Sequence, residues 1–324
     1  MENFFSKERL KNLLLQQGLI MAFVLLIIVI SLSSDRFLTT DNIIFVFRQV
    51  SVIGIIALGM TYVLISGNID LSVGSLVSLT AVVVVDLHDK IGPGPAIGVG
   101  LLIGLVVGAL NGAFVGFLKM NPLIVTLGGL TALQGLTLIY TGGTYSVIAD
   151  PDSTWYAFLG RGFIFGVPAP VIIFIVLAVI LSIILTRTVY GRYVFAVGGN
   201  WKSSRFTGIR DNLMICSVFI ICSLMAAIGG IVLGSRLMAA QNYVGQGYEL
   251  RVIAAVVLGG TSLMGGSGSI FKTVIGALIL GFIANGLIML GYPYYVQWVV
   301  TWIIIIGAVW LDVLSKRKIL WTWP

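Results

Sequence analysis

GNIDLSVGS, residues 67–75, sets one carboxylate, Asp70, between two runs as apolar as lipid, VSVIGIIALGMTYVLIS before it and LVSLTAVVVV after it. An ionisable group in such a place must be satisfied by something, and the glycines and asparagine around it mark a break in regular backbone. Whether this is a turn between two membrane spans or a turn inside a soluble core is decided by the rest of the chain. Of its 324 residues 58% are hydrophobic and 10% charged, where soluble domains carry about 25% charged residues. Apolar runs of span length recur from end to end, and about 20 such residues cross a bilayer. The chain is therefore read as a single membrane domain over 1–324, with no soluble domain at either end.

The formal charge of +7 does not point to nucleic acid. The basic residues stand at the ends of apolar runs, with neither a basic helix nor zinc-ligand spacing beside them, and so act as orientation signals. Cys216 and Cys222 lie within one apolar segment and read as small buried side chains. Lys7, Arg9 and Lys11 precede GLIMAFVLLIIVISL, which resembles a signal peptide, but the many later spans favour an uncleaved first helix.

Apolar windows predict ten helices, at 13–32, 50–66, 71–87, 97–118, 122–141, 169–187, 213–234, 250–264, 270–290 and 296–314. Strands are not expected, because a membrane barrel alternates apolar and polar residues and these runs do not. The fold class is all-α, a polytopic helical bundle. With the N-terminus in the cytoplasm, only Arg36, Arg48, Lys90, Arg161, Arg236 and Arg251 of the 19 lysines and arginines fall outside. That asymmetry places both termini and residues 188–212 inside.

Glycine recurs at every fourth position through Gly100, Gly104, Gly108, Gly112 and Gly116. Such a stripe lets another backbone approach closely, either within the bundle or at a subunit interface. Asn111-Gly112 and Asn285-Gly286 sit in predicted spans of opposite direction, five helices apart, as an inverted five-plus-five repeat would place them. LGMT at 58–61 and LGGT at 258–261 echo each other in spans of the same direction and fit that repeat badly.

The break at 67–75 has a counterpart in GGTSLMGGSGS, residues 259–269, after another short span. Paired glycine-interrupted segments point to a translocation path, since irregular backbone at depth needs protein or a water-filled cavity to satisfy it. Asp70 stands just before a helix start, where it either caps a tight turn or orders a broken helix beside the path. A proton relay would need a second intramembrane carboxylate or histidine, and the lone His88 lies in DLHDK, read here as a solvated polar loop. GSGSIFKT, residues 266–273, fails as a phosphate loop because Phe271 stands where glycine must precede the lysine. No metal-ligand cluster, serine-histidine-acid set or dinucleotide fingerprint is present, and no cofactor is called for. Within GRYVFAVGGNWKSSRFTGIRDN, residues 191–212, Asn200 marks a helix start and Gly208 its end, around a short amphipathic turn.

GNIDLSVGS, the GRYVFAVGGN and TGI loop, and GYELRVIAAVVLGGTSLMGGSGSIFKTVIGALILGF at 247–282 resemble the permease subunits of ribose-type monosaccharide ABC importers. The resemblance covers nearly the whole chain. It implies a bacterial inner-membrane protein that pairs with a second permease copy, as homodimer or heterodimer. The implied partners are a cytoplasmic ATPase subunit with two nucleotide-binding domains and a periplasmic sugar-binding protein. By the same resemblance the segment 198–209 couples to the ATPase, through Gly198, Gly199, Asn200, Arg205, Gly208 and Ile209. Such permeases typically carry alanines after GGN, where this chain has Trp201, Lys202, Ser203 and Ser204. A neutral sugar is held by amides, hydroxyls and aromatic faces, which makes Thr61, Asn68, Asn111, Gln134 and Asn285, with Asp70, the candidate pathway groups. An intramembrane amide serves equally to tie two helices together. An ABC permease for another small solute, such as a nucleoside, a branched-chain amino acid or a signalling furanose, a secondary transporter using Asp70, and a membrane enzyme are the competing readings.

Overall fold

The computed structural model describes residues 23–25, 27–293, 295–304, 306–307 and 310. The predicted first helix lies partly, and the C-terminal part of the last one mostly, outside the described residues. What is described is a helical bundle: α1 (Phe23–Ser33), α2 (Thr40–Ile65), α3 (Val73–Ile91), α4 (Pro93–Gly116), α5 (Pro122–Thr141), α6 (Tyr156–Arg161), α7 (Ala169–Arg187), α8 (Val189–Gly199), α9 (Trp201–Phe206), α10 (Asp211–Leu237), α11 (Tyr248–Leu258) and α12 (Ile270–Met289). Residues 296–304 continue as a further helix. Among the described residues six helices, α2, α4, α5, α7, α10 and α12, are long and apolar enough to cross a membrane. Among the described residues strands occur only as two-residue ladders in connecting loops. Ser146 pairs with Ala240 and Val147 with Ala239, and Phe163 pairs with Pro168 and Ile164 with Val167.

The core is made by α2, α3 and α10. In α2 every residue from Val50 to Ile65 is buried, and in α3 every residue from Val73 to Val85. Helices buried on all sides need no amphipathic pattern, which is why these sequences are apolar throughout. The outer helices show the complementary picture: α5 exposes Ile124, Leu127, Leu136 and Ile139, and α7 exposes Ile175, Val176, Val179 and Ile183. Apolar faces of this extent are matched to lipid or to another membrane subunit.

The glycine stripe of α4 is consumed inside the chain. A methyl group at Gly104 would lie 2.6 Å from the Ala227 Cβ, one at Gly108 2.7 Å from the Ile220 Cα, one at Gly112 2.7 Å from the Cys216 Cα, and one at Gly116 2.6 Å from the Asn212 carbonyl oxygen. As the α4 numbers rise the α10 numbers fall, so the two helices run antiparallel with their backbones in contact. This is packing by small residues, favourable where lipid supplies no hydrophobic drive between helices. At the other side of the bundle Phe282 of α12 meets the edges of Phe23, Phe37 and Phe47, with ring centroids 5.6, 6.1 and 6.1 Å away.

Two stretches interrupt the helices within the bundle. The first is 66–72, between α2 and α3. Its end, Ser72, touches Asn111 and Gly129. These lie five residues inside the end of α4 and seven inside the start of α5, or about 8–10 Å along the helices at 1.5 Å per residue. Hence α3 starts well inside the bundle. The second is 241–247, which runs down from the far end of α10 until Gly245 packs on the carbonyl of Gly74 and donates to Ser78 Oγ (2.9 Å). The stretch is a run of turns, with the Val244 amide donating to the Gln241 carbonyl (3.1 Å) and the Gln246 amide to the Tyr243 carbonyl (3.0 Å), and the helix that follows is the short α11.

Candidate functional site

The first interruption is fixed by its own polar groups. Gly67 takes φ +79°, a left-handed conformation open to glycine, and turns the chain back after Ile65. Asn68 Nδ2 donates to Ser66 Oγ (2.9 Å) and to the Ser66 carbonyl (3.2 Å). Asp70 is fully buried, and its Oδ1 accepts from both the Ser72 amide (2.9 Å) and the Ser72 hydroxyl (2.6 Å). Asn111 Nδ2 completes the chain by donating to Ser72 Oγ (3.0 Å). The helix cap position belongs to Ser72, and Asp70 acts one step earlier by holding that residue. Asp70 Oδ2 has no hydrogen-bond partner among the described residues. An amide, a hydroxyl and a carboxylate in series thus tie α4 to the start of α3.

The second interruption is held from α5. Gln134 Nε2 donates to the Asn242 carbonyl (2.9 Å), and Thr141 Oγ1 donates to Asn242 Oδ1 (2.7 Å). Two other polar groups singled out in the sequence bind helices to each other. Thr61 donates to the Ala57 carbonyl (2.7 Å) and meets Thr273 Oγ1 of α12 at 2.8 Å. Asn285 and Asn42 exchange two side-chain hydrogen bonds, of 2.9 and 2.8 Å, between α12 and α2. The six pathway candidates therefore do not converge on one cavity. Asn111 alone among them lines the apolar groove of about 720 Å³ between α4 and α5, with Phe114, Met120, Ile124, Gly128 and Leu136 among its walls.

On the face where α2 ends and α10 begins lies the polar segment 188–210. Thr188 Oγ1 accepts from the Gly191 amide (3.3 Å) at the start of α8, and Asn200 Oδ1 accepts from the Ser203 amide (3.0 Å) at the start of α9. Gly208 closes α9 at φ +84°, with its amide donating to the Arg205 carbonyl (3.1 Å) and the Ile209 amide to the Ser204 carbonyl (3.2 Å). Asparagine start and glycine stop are where the sequence placed them. The helix between them turns Phe206 outward at 93% exposure and Trp201 at 52%, with Lys202 Nζ 5.6 Å from the Trp201 ring. Gly198 packs against Ile65, and Gly199 against Gly266, which brings this segment onto both glycine-rich breaks, 67–75 and 259–269. Arg205, Gly208 and Ile209 border a second cavity of about 420 Å³ against the start of α10.

Several long-range contacts were not visible in the sequence. Lys119 Nζ pairs with Asp211 Oδ2 at 2.8 Å and joins the α4–α5 turn to the start of α10, 92 residues on. His88 is a correction: it is not a solvated loop residue but lies in the last turn of α3, 7% exposed. Its Nδ1 is 2.6 Å from Asp89 Oδ1 and its Nε2 2.7 Å from Thr154 Oγ1. Asp89 also accepts from the Ala149 amide (2.9 Å). The histidine therefore pins the 142–168 connection to α3, a role that long-range pairing conceals from a single sequence.

Three comparisons bear on this arrangement. A family model described as branched-chain amino acid transport system / permease component matches residues 42–309. The ribose import permease protein of Haemophilus influenzae is 38% identical over 314 residues, 96% of this chain and 97% of the relative. The D-allose transport system permease protein of Escherichia coli is 40% identical, covering 91% of each chain. The L-arabinose transport system permease protein of the same organism is 35% identical, covering 92% of this chain and 90% of its own. No solved structure matches.

Proposed function

This chain belongs to the family of branched-chain amino acid transport system permease components, and on that premise we propose that it is the membrane permease of an ABC importer for a monosaccharide. The observation that carries the sugar over an amino acid is the near full-length likeness to permeases named for ribose, D-allose and L-arabinose. A zwitterion would call for charged groups along the path, and the α4–α5 groove is lined by apolar side chains and the amide of Asn111. The permease has no catalytic activity of its own. A separate cytoplasmic ATPase subunit with two nucleotide-binding domains supplies the energy, and a periplasmic binding protein delivers the sugar.

In this reading the chain crosses the bacterial inner membrane ten times, as two inverted halves of five helices, with both termini and residues 188–212 cytoplasmic. A second permease copy covers the exposed face of α5, where Gly128 and Gly135 leave open space for a close approach. The path runs between the copies along that groove. Asn111 offers its amide to the sugar, while Thr61, Asn68, Asp70, Gln134 and Asn285 keep the path's walls in register. The α9 helix docks on the ATPase through Phe206 and Trp201, held by Gly198, Gly199, Asn200, Arg205, Gly208 and Ile209. When the nucleotide-binding domains close, α9 is displaced, and the breaks it touches at 67–75 and 259–269 move with it.

The test is uptake into vesicles holding this chain and its ATPase, fed by the binding protein from outside and ATP from within. ATP-dependent accumulation of a labelled pentose or hexose is expected. Accumulation of leucine without any monosaccharide would overturn the assignment.

A further inference from the structure

Two adjacent glycines end α8, and their surroundings differ. Gly199 has open space where a side chain would project. At Gly198 a methyl group would overlap the Ile65 carbonyl oxygen and lie 2.9 Å from the Gly266 nitrogen. Those two groups are themselves hydrogen-bonded, the Gly266 amide donating to the Ile65 carbonyl at 2.8 Å. From the other side, a methyl group at Gly265 would lie 2.7 Å from the Gly198 carbonyl oxygen and 2.9 Å from the Gly67 Cα, and one at Gly266 would lie 2.9 Å from the Gly199 Cα. Three backbones from distant parts of the chain thus meet with no side chain between them. Gly198 is not among the residues with positive φ, so backbone conformation does not demand glycine there. Closeness does.

Each backbone at this junction leads somewhere different. Ile65 and Gly67 open the break that holds Asp70, and Gly265 and Gly266 belong to the loop that starts α12. Gly198 precedes α9 by three residues. Long side chains absorb displacement by changing rotamer, whereas backbones in direct contact inside a close-packed structure pass it on. The opposite flank of α9 runs into α10, which carries α4 along its glycine stripe. We propose that Gly198 is a positioning residue for transport. It forms, with Gly67, Gly265 and Gly266, a bearing that passes displacement of α8 and α9 to the Asp70 break and the α11–α12 loop together. The proposal rests on the reading of α9 as the ATPase-docking helix.

The test uses vesicles containing the permease, its ATPase subunit and the binding protein. Gly98→Ala, a helical glycine with open space around it, is expected to transport as the parent does. Gly198→Ala is expected to assemble with the ATPase but to move far less sugar per ATP hydrolysed. Equal sugar-to-ATP ratios for Gly198→Ala and the parent would overturn the proposal. Should Gly198→Ala fail to assemble, hydrogen exchange on the parent complex decides. Between the resting and the vanadate-trapped state, amides at 65–68 and 262–268 are expected to change protection together with 198–206. A change confined to 198–206 overturns the bearing alone. Failure of the ATPase subunit to protect 201–206 overturns the docking reading, and the bearing with it.

Discussion

Asp70→Leu and Asp70→Asn separate a structural carboxylate from a charge that transport itself requires. Asp70 Oδ1 accepts two hydrogen bonds from Ser72, at 2.9 and 2.6 Å, in a fully buried position. Leucine accepts neither. Each buried donor left without a partner costs about 1–3 kcal/mol, although the Ser72 hydroxyl can rotate while still accepting from Asn111. Burying the extra apolar surface of leucine returns about 1 kcal/mol. The net loss for Asp70→Leu is therefore about 2–3 kcal/mol, centred on the start of α3. Asparagine keeps the Oδ1 acceptor and sets an NH₂ where Oδ2 has no partner, exchanging one unsatisfied group for another, so its cost is about 1 kcal/mol or less. The assay is thermal unfolding in detergent together with binding-protein-dependent uptake at matched membrane levels. The expectation is a lowered midpoint and little uptake for Asp70→Leu, with substantial uptake for Asp70→Asn. Equal and complete loss of uptake in both, with Asp70→Asn as stable as the parent, would refute the reasoning and make the charge itself essential.

Other expectations follow from the same contacts. Gly104→Leu should abolish stable insertion, because the first added carbon already lies 2.6 Å from the Ala227 Cβ and 3.0 Å from the Ser223 carbonyl oxygen. Gly98→Ala, with open space where the side chain would project, should leave thermal stability within about 1 kcal/mol of the parent or slightly above it. Asn285→Leu should cost about 1–2 kcal/mol in unfolding measurements by breaking the pair with Asn42, with sugar affinity retained; a selective loss of affinity would instead mark Asn285 as a pathway group. Thr154→Val, which removes the hydroxyl facing His88 Nε2, should speed proteolysis within 142–168 without changing the fold of the bundle. A cysteine at Ser203, in a background lacking Cys216 and Cys222, should react only with a permeant reagent in intact cells; labelling from outside would invert the proposed topology.

What the sequence revealed and what it concealed divide along the range of the interactions. The break after Ile65 was legible because Gly67, Asn68 and Asp70 interrupt a continuous apolar run. The caps of α9 were legible because Asn200 and Gly208 act on their own neighbours. The start of α2 was misplaced by ten residues, since Asp41, Asn42, Arg48 and Gln49 lower the local hydropathy although they are helical. The entry of 241–247 into the bundle carries no periodic signal, and only the shortness of α11 hinted at it. Asn285 was singled out as a pathway group, but its partner Asn42 stands 243 residues away, and no local pattern joins them. The same holds for Lys119 and Asp211, and for His88 and Thr154. Polar residues in an apolar chain announce that they matter, and only the fold says to what.

The most direct measurement of the central claim, that residues 198–209 couple this permease to ATP hydrolysis, is stimulated ATPase activity in reconstituted vesicles carrying Gly208→Val. Gly208 holds φ +84°, and no atom of the described residues lies within 4 Å of where its side chain would begin. A branched residue there attacks the termination of α9 and little else. The account predicts a permease that inserts and associates normally, while sugar uptake and binding-protein-stimulated hydrolysis fall together. Normal stimulation with Gly208→Val in place would contradict it.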